Sequence, residues 1–363
     1  HYQNGRFSDA EKLALSITHE FPTHQFAWQL LSGVLKKTGR VSESVVAGEK
    51  SVQLAPQDAV AHYNLGNTLR ELGRLEEAEQ SYAQAVALKP DFAEAHGNLG
   101  VTLKELGRLE EAEQSYAQAV ALKPDYAEAH GNLGVTLKEL GRFEEAEQSY
   151  AQAIVLKPDF TDAHYNLGNA LQELGRFEEA EASYAQAIAL KPDYADAHYN
   201  LGITLYHSGK LDEAEASYRQ AIALKPDYPE AHSNLGVALK DLGRLEEAEA
   251  SCRQAIVLKP DFAEPHGNLG NALQELGRLE EAEASCRQAI ALKPDFAEAH
   301  SNLGIIFYGN GDIDAAIESL AKANDIDPKL RANELVLSVL RARKAREKTE
   351  VSVDNINKSD YNV

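Results

Sequence analysis

The stretch Ala93-Glu94-Ala95-His96-Gly97-Asn98-Leu99-Gly100 begins a helical run that stops at Gly107, and a second run from Leu109 stops at Pro124. The next 34 residues, 127–160, repeat residues 93–126 with changes at only Phe143, Ile154, Val155 and Phe160. Copies in this phase start at residues 59, 93, 127, 161, 195, 229, 263 and 297. A 34-residue period with Gly, Ala and Pro at fixed offsets marks stacked helix pairs. One such pair cannot bury its own apolar face, so the copies must pack in a line. The fold expected is all-α, a solenoid of antiparallel helix pairs, and the chain reads first as a surface for holding other molecules.

Each period specifies its own helices. His96, Leu99, Gly100, Leu103 and Leu106 form one stripe at spacings of three and four, which is the helical period. Gly107 is placed to end this helix, as glycine does at a helix C-terminus. Leu109, Ala112, Tyr116, Ala119, Val120 and Leu122 form the buried side of the second helix, and Pro124 stops it. Asp91 is expected to cap the first helix, with Glu94 completing a capping box. Gly100, Ala112 and Ala119 are small where two backbones approach closely.

Outside the regular copies the pattern weakens. Residues 1–24 carry Gly5, Ala10 and Pro22 in phase without the preceding helix, so His1 reads as the edge of a fragment. Residues 25–58 form an irregular unit, with Trp28, Leu31, Gly39 and Pro56 in phase and departures at Leu30, Ser44 and Gly48. Eight units then fill 59–330. Residues 331–348 read as a helix capping the end of the stack, with Leu330, Leu335, Val336, Val339, Leu340 and Ala342 on one side. Residues 349–363 are polar and aperiodic, the mark of a disordered tail or linker.

The net charge is −21. Residues 93–126 hold six acidic side chains against Lys104, Arg108 and Lys123, so the acidity runs along the whole array. Nucleic acid and anionic membrane need clustered Lys and Arg, so neither is an expected partner. Protein or peptide segments, basic or neutral, are. No stretch approaches transmembrane length. Cys252 and Cys286 lie one repeat apart, in the phase held elsewhere by Tyr82, Tyr116, Tyr150, Tyr184 and Tyr218. Stacked helices lie about 8–10 Å apart, too far for a disulfide, which needs Cα atoms within about 7 Å. Small buried core residues in a reducing compartment, the cytoplasm, are the reading.

The pattern closely resembles the tetratricopeptide repeat, carried by Leu65-Gly66, Gly73, Ala78, Tyr82, Ala85 and Pro90 and their equivalents over roughly residues 1–330. The first-helix Trp usual in that family is present only as Trp28. His62, His96, His130, His164, His198, His232, His266 and His300 replace it. The resemblance implies a right-handed superhelix with the first helices lining its concave wall, and a protein- or peptide-binding role. It does not name the ligand.

On that wall stands an unbroken series: Asn64, Asn98, Asn132, Asn166, Asn200, Asn234, Asn268 and Asn302. A carboxamide offers a donor and an acceptor, so one per repeat could hold an extended peptide backbone without reading its sequence. The series is similar to the asparagine ladder of O-linked N-acetylglucosamine transferases, which implies a grip on substrate peptides. A near-duplicated array repeats every residue, so family consensus alone is the competing explanation. Specificity is expected at the positions that vary. Tyr63, Tyr165 and Tyr199 stand where other copies have Gly97, Gly131 and Gly267, and Tyr206 and Tyr308 replace Lys104, Lys138 and Lys240. Tyr199, Tyr206 and His207 cluster in the unit 195–228, the expected hot spot, because exposed aromatics are common binding anchors.

Catalysis and metal binding find no pattern. The repeating His residues lack a second ligand three to five residues away, as zinc motifs require, and they fall on the packing stripe. Ser115 and its equivalents have no His or Asp placed to activate them. No glycine-rich phosphate loop is present, so no cofactor, metal or enzyme activity is expected. The paired Lys and Asn with which co-chaperone relatives clamp a carboxylate have no match in Gly97, Val101 and their acidic neighbours. Asn357-Lys358-Ser359 fits a glycosylation acceptor. Two further readings stay open: the substrate-recruiting arm of an enzyme whose catalytic domain lies elsewhere, and a self-assembling module whose end repeats stack on another copy.

Overall fold

The computed structural model describes residues 7–330 and 334–345. It is all-α, a helix-pair solenoid divided into two compact units, His1–Gln186 and Ala187–Val363. In the first unit, α1 (Phe7–Glu20) is followed by α2 (Gln25–Lys37) with α3 (Val41–Leu54), then α4 (Ala59–Glu71) with α5 (Leu75–Leu88). The pairs α6 (Ala93–Glu105) with α7 (Leu109–Leu122) and α8 (Ala127–Glu139) with α9 (Phe143–Leu156) follow, then α10 (Thr161–Glu173). Helix α11 (Phe177–Leu190) runs through the division. The second unit pairs α12 (Ala195–His207) with α13 (Leu211–Leu224) and α14 (Pro229–Asp241) with α15 (Leu245–Leu258). It continues with α16 (Ala263–Glu275) and α17 (Leu279–Leu292), then α18 (Ala297–Gly309) and α19 (Ile313–Ile326).

The turn inside each pair is made by glycine. Gly107 has φ 76°, in the left-handed region, where a side chain would strain the backbone. Its N–H donates to the Lys104 carbonyl at 2.9 Å, and the Arg108 N–H donates to the Leu103 carbonyl at 2.9 Å. These two bonds are the Schellman closure of a helix. The turn that joins one pair to the next is different, and here the sequence expectation needs correction. Asp91 does not cap α6. Phe92 holds the cap position with no side-chain bond, and the Ala93 N–H meets the backbone carbonyl of Asp91. Asp91 sits one residue too early; at the start of α4, Asp58 holds the cap position itself and accepts from the N–H groups of Val60 and Ala61. Glu94 accepts instead from Lys123 Nζ at 3.0 Å. That bond, with Glu94's own backbone N–H, holds its carboxyl below the usual range.

Within each unit the second helix of a pair packs on the first helix of its own pair and of the next. First helices also meet first helices, as in α4 with α6, α6 with α8, α12 with α14 and α14 with α16. They therefore form a continuous wall on one side. The small positions work as expected. Gly66, Gly100, Gly134, Gly168 and Gly202 each lie under the ring of Tyr82, Tyr116, Tyr150, Tyr184 or Tyr218, where a Cβ would meet ring carbons at 3.0 Å or less. Cys252 and Cys286 are buried free thiols in the same phase, each pushed up to about 12 by burial.

Residues 334–345 are helical, with Leu337 and Leu340 buried against Ala316 and Leu320. Leu335 and Val339, expected on the buried side, are 71% and 59% exposed. The helix packs through Leu337 and Leu340, with Val336 half-buried beside them. The rest of the 331–348 segment apart from those residues, the tail 349–363 with Asn357, and residues 1–6 lie outside the described residues. No described helix is long and apolar enough to cross a membrane.

Candidate functional site

The asparagine series lies on the first helices of each unit, with Asn64 exposed and the other seven half-buried. The carboxamides fall into two groups. Asn98 Nδ2 donates to Asn67 Oδ1 at 2.7 Å and to the Tyr63 hydroxyl at 3.2 Å, both on the preceding first helix. Asn234 Nδ2 donates to the Tyr199 hydroxyl at 3.1 Å, and Asn268 Nδ2 to Ser233 Oγ at 3.0 Å. Asn166 Oδ1 accepts from Lys138 Nζ at 3.4 Å, and Asn200 is also partnered. The side chains of Asn64, Asn132 and Asn302 have no hydrogen-bond partner among the described residues. For Asn98, Asn132, Asn234, Asn268 and Asn302 the difference lies at one position, 35 residues upstream; Asn166, downstream of Gly131, is reached by Lys138 instead. Where that residue is Tyr63, Tyr199 or Ser233, it captures the amide. Where it is Gly97 or Gly267, upstream of Asn132 and Asn302, there is nothing to capture it.

That upstream position is itself covered from the next turn. Phe92 packs on Tyr63, and Tyr228 on Tyr199, each pair with ring centroids 4.8 Å apart. Tyr126, Phe160 and Phe296 lie over Gly97, Gly131 and Gly267, where an added Cβ would meet ring atoms at 3.0–3.2 Å. The sequence expectation placed Tyr63, Tyr165, Tyr199 and Gly97 on an exposed groove face. The three tyrosines are half-buried and Gly97 is buried, because this phase belongs to the joint between successive pairs. Tyr63, Tyr165 and Tyr199 also approach Tyr82, Tyr184 and Tyr218 at 6.0, 6.0 and 6.1 Å. Burial pushes the Tyr199 hydroxyl up to about 12.

In the expected hot spot, the Tyr206 hydroxyl donates to Asp241 Oδ2 at 2.5 Å, reaching from α12 to α14. Burial, then this bond, pushes Tyr206 up to about 12. Asp241 is held below the usual carboxylate range: burial opposes this, and the bonds from Lys240 and Tyr206 outweigh it. His207 is exposed and stands edge-on to Tyr206 at 5.8 Å. Tyr308 is 48% exposed. Lys104 reaches Glu139 at 3.1 Å, and Lys36 reaches Glu71 at 3.1 Å. The wall's ammonium groups are thus partly neutralised by the next pair.

The repeating histidines are explained by packing. His96 Nε2 lies 3.0 Å from the Pro90 carbonyl, and His62, His130, His164, His198, His266 and His300 repeat the contact with the proline six residues back. Proline ends the preceding helix and leaves a carbonyl that the imidazole satisfies. Among the described residues, no group of three or more His, Cys, Asp or Glu converges as a metal site.

Two sequence profiles match the chain: "Cilia and flagella-associated protein 70 C-terminal domain" over residues 126–334, and "Tetratricopeptide repeat" over residues 63–127. The chain belongs to the tetratricopeptide repeat family. The first profile alone spans more than half of it. No curated protein sequence matches. A tetratricopeptide repeat protein from Parabacteroides merdae shares the fold at TM-score 0.56 and 19% identity, over 69% of this chain and 98% of that one. The anaphase-promoting complex (APC/C) hetero-tetramer Cut9–Hcn1 aligns at TM-score 0.54 and 13% identity, over 93% of this chain and 94% of that one. YrrB, described as a tetratricopeptide repeat protein with an unusual peptide-binding site, is 26% identical at TM-score 0.47, over 51% of this chain and 95% of its own.

Proposed function

We propose that this chain is a protein–protein interaction module that binds extended peptide segments along its first helices. The observation that carries this is the carboxamide of Asn132, half-buried on the wall with both donor and acceptor unused among the described residues. Such an amide is open to water, and a peptide N–H and C=O could replace that water at both its donor and its acceptor. Asn64 and Asn302 are equally placed to pair with a peptide backbone. Asn98 keeps only its carbonyl oxygen to offer, because its Nδ2 already donates twice; Asn234 and Asn268 keep the oxygen and one N–H. Tyr206, His207 and Tyr308 are the side-chain contacts nearest a ligand. Tyr165 and Tyr199 act mainly by setting the wall.

The likeness to O-linked N-acetylglucosamine transferases rests on the asparagine phase alone. The preference for basic or neutral segments rests on the net charge of −21. A cytoplasmic setting rests on two buried, unpaired thiols.

The test is capture from a proteome-derived peptide library, comparing the full chain with an Asn132→Ala/Asn302→Ala variant shown by circular dichroism to be folded. Loss of extended peptides from the variant supports the reading, and affinity should grow with peptide length as weak contacts accumulate. Equal capture by both proteins would sink it.

A further inference from the structure

The pair α2/α3 lacks the ring that fills its neighbours. Five second helices bury a tyrosine in one phase, the next two pairs put Cys252 and Cys286 there, and α19 puts Leu320. In α3 the position is Gly48, and the facing residue, glycine in every later pair, is Ser32. A Cβ added at Gly48 would meet Leu65 Cδ1 at 3.2 Å, Ser32 Oγ at 3.4 Å and Leu65 Cβ at 3.8 Å, side chains that the missing ring leaves room to shift. A cavity of 390 Å³ opens there, lined by Phe26, Leu30, Ser32, Gly33, Gly48 and Leu65. It also reaches Asn64, Lys36 and Lys37, so it opens on the first-helix wall. Leu30 stands in the asparagine phase, and Gly33 in the phase of Asn67.

The hydroxyls inside this cavity are already engaged, while the carboxamides of Gln29 and Asn64 stand unpaired in its lining among the described residues. Ser32 Oγ and Ser44 Oγ lie 3.0 Å apart, and each hydroxyl also lies within reach of the other residue's carbonyl. Ser51 Oγ accepts from Gln25 Nε2 at 3.0 Å, and the Thr68 hydroxyl donates to the Asn64 carbonyl at 3.0 Å. What its floor offers an occupant is mainly apolar surface, with Phe26 62% exposed at the rim. An engineered apolar cavity of about 150 Å³ already takes up benzene. At the mouth, Lys36 is engaged by Glu71, while Lys37 is exposed and makes no ion pair among the described residues.

We propose that this cavity receives an aromatic side chain from the bound peptide, the ring entering the space that α3, with Gly48 in the tyrosine phase, leaves open between Phe26, Leu30 and Leu65. Lys37 selects a carboxylate next to that aromatic residue, a local exception at this mouth to the preference of the acidic array for basic or neutral segments. The proposal rests on the peptide-binding reading and names one anchor of the ligand.

The test is a methyl-NMR titration of the full chain with two probes: p-cresol, which is the tyrosine side chain alone, and the peptide acetyl-Gly-Asp-Phe-Asp-Gly-amide. The pocket is closed by Ser32→Gly/Gly48→Tyr, which rebuilds the core of the regular pairs and should raise the melting temperature. Lys37→Glu leaves the cavity untouched. Both probes should shift the Leu30 and Leu65 methyls of the native chain, and neither should do so in the filled variant. Lys37→Glu should weaken the peptide severalfold and leave p-cresol unchanged. Absence of p-cresol shifts in the native chain, or their persistence in the filled variant, overturns the pocket. Equal peptide affinity in the native and filled proteins overturns it too, while leaving the wider groove reading intact. Binding of p-cresol without the peptide overturns the aromatic-acidic ligand.

Discussion

Asn98 and Asn132 sit in stretches of identical sequence, residues 93–108 and 127–142, yet their side chains are in different states. The Asn98 side chain is bonded twice to the preceding helix, and the Asn132 side chain has no partner among the described residues. The difference lies one repeat upstream, where Asn98 faces Tyr63 and Asn67 while Asn132 faces Gly97 and Val101. In a stacked array, a residue's role is set by its neighbour's sequence as much as by its own. The ladder is therefore a set of graded sites.

The largest effect expected is from Asn67→Val, which gives α4 the residue that α6 has. Asn67 Oδ1 accepts from both Tyr82 and Asn98, so its loss strands a buried hydroxyl and should cost about 1–3 kcal/mol in urea unfolding. Stability unchanged within error would mean that the pairing contributes nothing.

Next in size is binding. Asn132→Ala should weaken extended peptides by up to about tenfold, the worth of one or two hydrogen bonds, and Asn98→Ala by no more than about twofold. Gly97→Ser supplies the capturing hydroxyl that Ser233 supplies to Asn268, and should reproduce the Asn132→Ala loss without touching Asn132. Calorimetric titration of a peptide recovered from the library would decide; equal losses for Asn98→Ala and Asn132→Ala would erase the distinction between the two groups.

A smaller gain is expected from Val135→Asn. The Tyr150 hydroxyl is buried without a partner, while Tyr184 donates to Asn169 at 2.7 Å in the same geometry. Supplying the amide should stabilise the chain by about 1 kcal/mol, and a fall in the urea midpoint would contradict this.

The smallest effect is the pH dependence. Hydrogen bonds from Arg108, Arg142 and Arg244 hold the carboxyls of Glu111, Glu145 and Glu247 below their usual range. Burial holds His232 and His266 below theirs. A group whose pKa is lowered by folding stabilises above its unfolded value and loses that contribution as pH falls through the folded one. The melting temperature should thus decline gently as pH drops below the histidine value of 6.5, and again below the carboxylate value of 4.5. A melting temperature that rises on acidification would reverse the assignment.

Helix boundaries were legible because they depend on local chemistry. Gly107 must take a positive φ and Pro124 cannot donate, whatever packs around them. The tyrosine-over-glycine contacts were legible too, since Gly66 and Tyr82 recur together in phase. The cap was not, because Asp91 and Asp58 differ by one register position that only the turn geometry reveals. Nor was the burial of Gly97: its cover, Tyr126, comes from the next turn, 29 residues away. The vacant space at Gly48 was visible as a departure from the repeat, but not as a cavity open to the wall.

By itself, the sequence determined an all-α chain of stacked helix pairs with an asparagine on every first helix of the regular array. Periodicity encodes that directly, since each residue's phase sets the face it occupies. Only the tertiary structure decided which of those asparagines keep a free amide. That depends on distances of about 3 Å between side chains from different repeats, and a hydrogen bond across a joint is a property of two neighbours and of the angle at which they meet.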